Sequence, residues 1–114
     1  MTELPDPDRA IVIVTTAPSS EVAARLAECL VGERLAACVS HLPGLLSRYR
    51  WKGTMEEATE VLVIVKTRAA LEAALVRRLV ELHPYEVPEV LVLPVIGGHA
   101  PYLDWIHEAT QEER

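Results

Sequence analysis

The sequence predicts an α+β domain in which two helices cover one face of a four-stranded antiparallel sheet. Its apolar segments follow the order strand, helix, strand, strand, helix, strand, and a short helix ends the chain. Right-handed crossovers and one hairpin fold that β-α-β-β-α-β order into a ferredoxin-like plait. Half of the 114 residues (50%) are hydrophobic and 4% are aromatic, so an aliphatic core is expected. Because the strands are apolar on both faces, we expect a partner to cover the open face of the sheet.

The first strand is expected over residues 10–16, a continuous β-branched run typical of a strand that is buried on both faces. Pro18 ends this strand, and Ser19 or Ser20 is expected to cap the following helix. Gly32 is expected near the end of that helix, where a left-handed residue is favoured. The apolar stripe of the helix consists of Val22, Leu26, Cys29 and Leu30.

A long hairpin is expected in the middle of the chain. Its first strand covers residues 35–41, is interrupted or bulged at Pro43-Gly44, and resumes over residues 45–51. The turn is expected at Lys52-Gly53, and the chain returns through residues 61–66. The two arms of this hairpin are polar at the distal end and apolar at the base.

The second helix is expected over residues 69–82, with Thr67 as its cap. The proline-containing segment 83–88 cannot continue the helix, because each proline lacks an amide donor and restricts the residue before it. A fourth strand follows over residues 89–95, and Pro101 is expected in the first turn of the final helix.

The charge balance and the length of the apolar runs each exclude one class of partner. The chain carries 17 acidic and 11 basic residues, which gives a formal net charge of -6. This charge repels a phosphate backbone, so nucleic acid is not expected as a partner. No apolar run reaches the roughly 18 residues that a membrane span requires. We therefore expect no membrane partner either.

The chain is expected to form one domain over residues 10–114, because no repeat, low-complexity tract or linker divides it. Residues 1–9 are expected to be a disordered lead-in, since they lack the basic start and apolar middle of a signal peptide. Cys29 and Cys38 are too few for a disulfide framework. Reduced thiols and a cytoplasmic location are the expected state.

The sequence shows no catalytic machinery. Thr15, Thr16, Ser19 and Ser20 cluster between the first strand and helix, but no Gly-x-Ser-x-Gly elbow surrounds them. The same loop has no glycine that would let a phosphate approach the backbone. Because no nucleophile is visibly paired with a base, we expect no enzymatic activity.

Polar and aromatic residues near the strand ends form the candidate functional residues. Lys66 closes an apolar strand and Glu89 opens one, so the two could form a partly buried ion pair or line a cleft. His83 lies at a helix C-terminus, where it could act as a dipole-paired cap or as a ligand. In a chain this poor in aromatics, large rings are expected at anchoring or binding positions. These rings are Tyr49, Trp51, Tyr85, Tyr102 and Trp105.

Six motifs that occur in order closely resemble the CutA divalent-cation-tolerance family over about residues 10–109. The motifs are Val14-Thr15-Thr16-Ala17-Pro18, Glu33-Arg34-Leu35-Ala36-Ala37-Cys38-Val39, Tyr49-Arg50-Trp51-Lys52-Gly53, Val65-Lys66-Thr67, His83-Pro84-Tyr85-Glu86-Val87-Pro88-Glu89 and Tyr102-Leu103-Asp104-Trp105. The resemblance implies a ferredoxin-like subunit in a tight homotrimer, similar in architecture to the PII signal proteins. It also implies a link to tolerance of copper and other divalent metals, without established enzymatic activity.

The resemblance also suggests a metal ligand. In some members, a cysteine at the end of the first strand and one or two histidines before a Pro-Tyr pair have been proposed to bind copper. Thr15 stands at the cysteine position here, Leu82 stands at one histidine position, and His83 matches the other. A neutral hydroxyl has little affinity for soft copper. The resemblance therefore implies that His83 is the remaining ligand for copper or another divalent cation, bound weakly.

A homotrimer assigns roles to the aromatic residues as well. Tyr102 and Trp105 of the final helix are then expected to pack at the sheet or at the interface between subunits. The alternative function is a PII-like sensor that binds a small anionic ligand in clefts between subunits. The expected lining of those clefts is Tyr49, Trp51, Lys66, Tyr85 and Glu89.

Overall fold

The computed structural model describes residues 6–111 of the chain. Four strands and three α-helices follow one another in the predicted order, and a 3-10 turn at Ala69–Leu71 precedes the second helix. The elements are β1 (Ala10–Ala17), α1 (Ser20–Gly32), β2 (Cys38–Trp51), β3 (Thr54–Arg68), α2 (Glu72–Leu82), β4 (Leu91–Pro94) and α3 (Ala100–Ala109). The strands pair antiparallel in the order β2-β3-β1-β4, which confirms the ferredoxin-like plait.

One face of the sheet lies under α1 and α2 and forms the hydrophobic core. Odd-numbered residues of β1 and β3 point to this face, because successive side chains of a strand alternate between the two faces. The most deeply buried aliphatic side chains of this core are Ile11, Ile13, Val63, Val65, Leu26, Leu30, Leu75 and Leu79. Burial of each such side chain contributes about 1.5–3 kcal/mol, so this face makes a large hydrophobic contribution to stability.

The opposite face, which we call the open face, carries the even-numbered residues of β1 and β3. Helix α3 covers one end of it, where Ile106 packs against Ala10 and Ala37. Away from α3, Leu91 and Leu93 of β4 remain 56% and 49% exposed. A single chain therefore leaves a large apolar surface on this face in contact with water.

The turn and cap predictions are confirmed in most places. The Ser19 hydroxyl accepts a hydrogen bond from the Val22 amide at 3.2 Å, which caps α1. Pro101 lies in the first turn of α3. Lys52 and Gly53 both have positive φ, 49° and 80°, as the central residues of a tight hairpin turn require.

Three local predictions were wrong. The left-handed residue after α1 is Arg34, with φ 60°, and not Gly32. β2 begins at Cys38 and not at residue 35. The Leu35 amide donates to the carbonyl of Leu30 in the last turn of α1, so Leu35 does not join the sheet. The Thr67 hydroxyl donates to the Leu35 carbonyl at 2.7 Å, so it ties β3 to the loop before β2 and does not cap α2.

Residues 1–5 of the expected lead-in lie outside the described residues. Residues 6–9 form a turn in which the Arg9 amide donates to the Asp6 carbonyl at 3.1 Å. The backbone of this turn also accepts hydrogen bonds from Ala69 and Ala70 after β3. Among residues 6–111, no helix is both long enough and apolar enough to cross a bilayer.

Candidate functional site

A β-bulge at Gly44 decides which hairpin side chains reach the open face. The pairing of β2 with β3 shifts there, so that Leu45 pairs with Glu60 and Gly44 has no partner. Two residues of β2 oppose one of β3 at the bulge. The residues of β2 that lie on the open face are therefore even-numbered before Gly44 and odd-numbered after it. Tyr49 and Trp51 therefore lie on the same face as Glu60.

A cavity of about 570 Å³ lies between this hairpin and the segment that follows α2. We call it the Glu60 cavity. Its lining includes Tyr49 and Trp51 from β2, Glu60 from β3, and Tyr85 and Glu89 from the segment after α2. Four of the five residues predicted to line a cleft are thus brought together, namely Tyr49, Trp51, Tyr85 and Glu89.

Lys66, the fifth predicted residue, does not line the cavity. It lies opposite Val12 and Cys38, at the other end of β3 and about 20 Å from Glu60 at the rise of a strand. Its Nζ atom is 3.9 Å from the Cys38 Sγ atom. Within one chain, Lys66 and Glu89 therefore do not form the ion pair, and the predicted cleft between subunits stays a prediction.

Glu60, the most buried acidic residue of the site, is not among the residues predicted from the sequence. Its side chain is 7% exposed, and the Tyr85 hydroxyl donates a hydrogen bond to Oε2 at 2.7 Å. One signal could have revealed it: Glu60 precedes an apolar run and shares its parity with Leu62 and Ile64, which puts a charge on an apolar face.

The surroundings of Glu60 favour its ionised form. Burial by itself raises the pKa of the Glu60 carboxyl. Hydrogen bonding from the Tyr85, Ser47 and Thr16 hydroxyls, together with the nearby imidazole of His83, outweighs burial and holds that pKa below its ordinary value. Burial and the bond to Glu60 raise the pKa of the Tyr85 hydroxyl, so that it stays protonated and acts as the donor.

His83 is buried beside the cavity, and backbone groups engage both of its ring nitrogens. Nε2 lies 2.7 Å from the Thr16 carbonyl oxygen, and the Tyr85 amide donates to Nδ1 at 3.2 Å. For a neutral imidazole, only the tautomer with hydrogen on Nε2 satisfies both contacts. The ring therefore ties the end of β1 to the segment after α2.

This arrangement bears directly on the expected metal ligand. A metal ion binds the unprotonated nitrogen of an imidazole, and here the lone pair of Nδ1 already accepts the Tyr85 amide. Thr15, at the position of the family's cysteine, is fully buried. Across the described part of the chain, no three His, Cys, Asp or Glu side chains are grouped so that they could hold a metal ion.

The charges around the cavity are mostly negative. Glu86 and Glu89 join Glu60 in the lining, and Lys52 Nζ lies 4.0 Å from Glu86 Oε2. Arg48 also lines the cavity, but its guanidinium pairs with Glu57. Within residues 6–111, no lysine or arginine forms an ion pair with Glu60 or Glu89.

Tyr102 and Trp105 lie on α3, outside the Glu60 cavity. Their ring centroids are 5.5 Å apart, and each side chain is half-exposed in the single chain. The structure thus separates the five aromatic residues into three at the cavity and two on the terminal helix.

The family described as CutA1 divalent ion tolerance protein matches residues 11–109. The divalent-cation tolerance protein CutA of Thermus thermophilus is 50% identical over 99 residues, which cover 87% of this chain and 96% of that protein. Protein CutA of Mus musculus is 47% identical over 84% of this chain, which spans 54% of that longer protein.

Solved structures agree with these sequence matches. The Thermus thermophilus divalent cation tolerance protein has a TM-score of 0.86 at 48% identity, over 90% of this chain and 99% of that one. CutA1 from Oryza sativa has a TM-score of 0.88 at 42% identity, over 92% and 96% of the two chains. The fold, the ordered motifs and these matches together show that the chain belongs to the CutA1 family.

Proposed function

We propose that the protein is a non-enzymatic homotrimer that contributes to the tolerance of divalent metal ions, copper among them, in the cytoplasm. The observation that carries the metal-tolerance role is the family match over residues 11–109, with relatives that are named for divalent-cation tolerance. The two free cysteines are consistent with a reducing compartment.

The open face supports the assembly. Leu91 and Leu93 on β4 and Leu42 on β2 are exposed in the single chain, and so are Tyr102 and Trp105 on α3. Unpaired edge strands with apolar side chains tend to pair with another chain. Burial of this surface between copies removes it from water and closes the edge, which a homotrimer achieves by symmetry.

Metal binding at His83 is expected to be weak. A metal ion at Nδ1 would displace the Tyr85 amide, which would then lose its hydrogen bond. Binding at Nε2 would break the contact with the Thr16 carbonyl. We therefore propose that tolerance does not depend on a high-affinity copper site at His83.

The function can be tested in a strain that lacks its own CutA-family gene. Growth in raised copper or zinc is compared for cells that carry this chain, an empty vector, or the His83→Ala variant. We expect the chain to restore growth and the variant to retain most of that effect. Equal growth with the chain and with the empty vector would rule out a role in tolerance.

The assembly and the metal affinity need separate measurements. Light scattering is expected to give three times the chain mass of 12.6 kDa. Titration calorimetry with copper is expected to show weak binding that His83→Ala weakens further. Tight binding that survives the substitution would place the metal elsewhere and contradict this assignment.

The alternative of an anion sensor has less support. Within one chain, its expected cation, Lys66, lies away from the Glu60 cavity, whose lining includes the carboxylates of Glu60, Glu86 and Glu89. These charges repel an anion, since like charges in a confined site raise the free energy of binding.

A further inference from the structure

We propose that the Glu60 cavity binds a small organic ammonium ion, held between the Glu60 carboxylate and the rings of Tyr49 and Trp51. This site goes beyond metal tolerance and does not depend on it. All of the groups that form the site come from one chain.

The size of the cavity suits a small molecule. Its volume of about 570 Å³ falls within the range of about 300–1,000 Å³ that is usual for ligand pockets. The walls combine aromatic surface with a few polar groups, which is the ordinary composition of such pockets. The hairpin and the segment after α2 both contribute, so the cavity is part of the fold of the subunit.

Glu60 supplies the charge that a cation would neutralise. It is 7% exposed, its pKa lies below the ordinary value, and it is therefore ionised at neutral pH. Hydrogen bonds satisfy part of this charge, but no lysine or arginine of residues 6–111 forms an ion pair with it. The hydroxyl groups thus hold an ionised carboxylate at the cavity wall, and a bound cation would add the direct ionic contact that these neutral donors do not provide.

The aromatic rings favour an ammonium ion among cations. The faces of Trp and Tyr attract ammonium groups electrostatically, and such rings form the walls of sites for quaternary ammonium ligands. The indole of Trp51 already makes one contact of this kind, with Lys52 Nζ 5.7 Å from its centroid. Tyr49 lies two residues before Trp51 on the same strand. Side chains two residues apart in a strand share a face, so both rings line the cavity.

A metal ion fits the same residues poorly. A hard divalent cation needs several oxygen ligands at about 2–2.6 Å. No three acidic, histidine or cysteine side chains of the described residues are grouped closely enough for this. An organic ammonium ion is larger and spreads its charge over its alkyl groups, so it can contact the rings and the carboxylate together.

Calorimetric titration with choline and with 3,3-dimethyl-1-butanol tests the proposal on the assembled protein. The alcohol has the shape of choline but carries no charge, so the pair isolates the effect of the positive charge. We expect choline to bind at least tenfold more tightly than the alcohol. Acetate serves as the anionic probe and is expected not to bind. Equal affinity for choline and the alcohol would overturn the proposal, because the cavity would then be merely apolar.

Variants assign the binding to the cavity. We expect Glu60→Gln and Trp51→Leu each to weaken choline binding at least tenfold, while Glu72→Gln, an exposed carboxylate on α2, leaves it unchanged. Circular dichroism checks that each variant is folded. If Glu60→Gln unfolds, Trp51→Leu still tests the site, because Trp51 is more exposed and its substitution disturbs the fold less. No choline binding to the folded wild-type assembly would refute the site, as would a crystal structure with a neighbouring copy's basic side chain in the cavity.

Discussion

The two faces of the sheet use similar residues and reach different environments. On β1, Ile11 and Ile13 are almost completely buried under α1 and α2, whereas their neighbours Val12 and Val14 on the open face are half-buried. On β3, Val63 and Val65 differ from Leu62 and Ile64 in the same way. The helix-covered face needs nothing beyond the chain itself. The open face is also largely apolar but has only α3 over one end, so in the proposed homotrimer a neighbouring copy would complete the burial of its residues.

The polar groups follow the same division. The charged residues Glu60 and Lys66 lie on the open face of β3, at opposite ends of an apolar stretch, and the odd-numbered positions between them carry valines. An aliphatic core gives stability with few directional contacts, whereas the open face combines apolar surface with a cavity and a buried carboxylate. Four substitutions test this difference between the faces.

Leu93→Asp should have the largest effect, because it introduces a charge into surface that the homotrimer would bury. We expect the assembly to dissociate into folded monomers, detected by light scattering and circular dichroism. Val80→Asp on α2 is the matched control, since Val80 is 48% exposed and Leu93 is 49% exposed in the single chain. The mass should not change in the control. If both variants keep the mass of the wild type, the open face is not the interface.

Leu79→Ala tests the helix-covered face. Leu79 is fully buried, so its truncation should lower the free energy of unfolding by about 2–5 kcal/mol, measured by urea denaturation. Leu42→Ala on the open face, 65% exposed in the single chain, serves for comparison. Its loss should be smaller and should depend on protein concentration, because assembly provides the burial. Equal, concentration-independent losses would mean that the faces do not differ in this way.

Glu60→Gln tests the buried carboxylate through the pH dependence of stability. The folded-state pKa of Glu60 lies below its ordinary value, so its contribution is fully present above about pH 5 and is lost as the pH falls through the folded pKa. The wild type should therefore lose stability on acidification more steeply than Glu60→Gln, as followed by urea denaturation between about pH 6 and pH 3.

Tyr85→Phe is the companion variant, because it keeps the carboxylate and removes the hydroxyl that donates to it. Its acid profile should fall between those of the wild type and Glu60→Gln. If the three profiles coincide, the hydrogen bonds to Glu60 do not favour the charged form in the folded state.

Gly44→Ala should have the smallest effect of the four. Gly44 has φ +90° with open space around its Cβ position, so the penalty comes from the backbone conformation and should be about 1–2 kcal/mol. Gly97 also has open space but has no such φ, and Gly97→Ala should cause no loss by thermal denaturation. Equal effects at the two positions would show that the bulge does not require its left-handed residue.

Local chemistry explains why much of the fold could be predicted. Ser19 caps α1, Lys52-Gly53 forms the hairpin turn, and the irregularity expected at Pro43-Gly44 is a true bulge. Each depends on residues close together in the chain, where backbone preferences and short hydrogen bonds dominate. The Thr67 cap failed for a tertiary reason, because the Leu35 carbonyl competes for its hydroxyl.

The site was harder to predict because it depends on register. Alternation along β2 alone does not show that Gly44 moves Tyr49 and Trp51 onto the face of Glu60. Lys66 and Glu89 look like neighbours as strand-end charges, but antiparallel pairing sends Lys66 to the other end of the sheet. His83 was visible as a candidate, whereas the engagement of both its nitrogens needed the approach of Thr16 and Tyr85.

The sequence by itself therefore determined the order of elements, the plait, most of the turns and membership of the family, since periodicity, turn chemistry and ordered motifs are all local in the chain. Only the tertiary structure decided that Glu60 is a buried carboxylate, that Lys66 is absent from the cavity, and that His83 binds backbone groups. Those outcomes depend on which distant residues become neighbours. Strand register and one extra residue at the bulge set those contacts. The sequence marked the bulge at Pro43-Gly44, but it did not show which residues of β2 and β3 would then lie opposite one another.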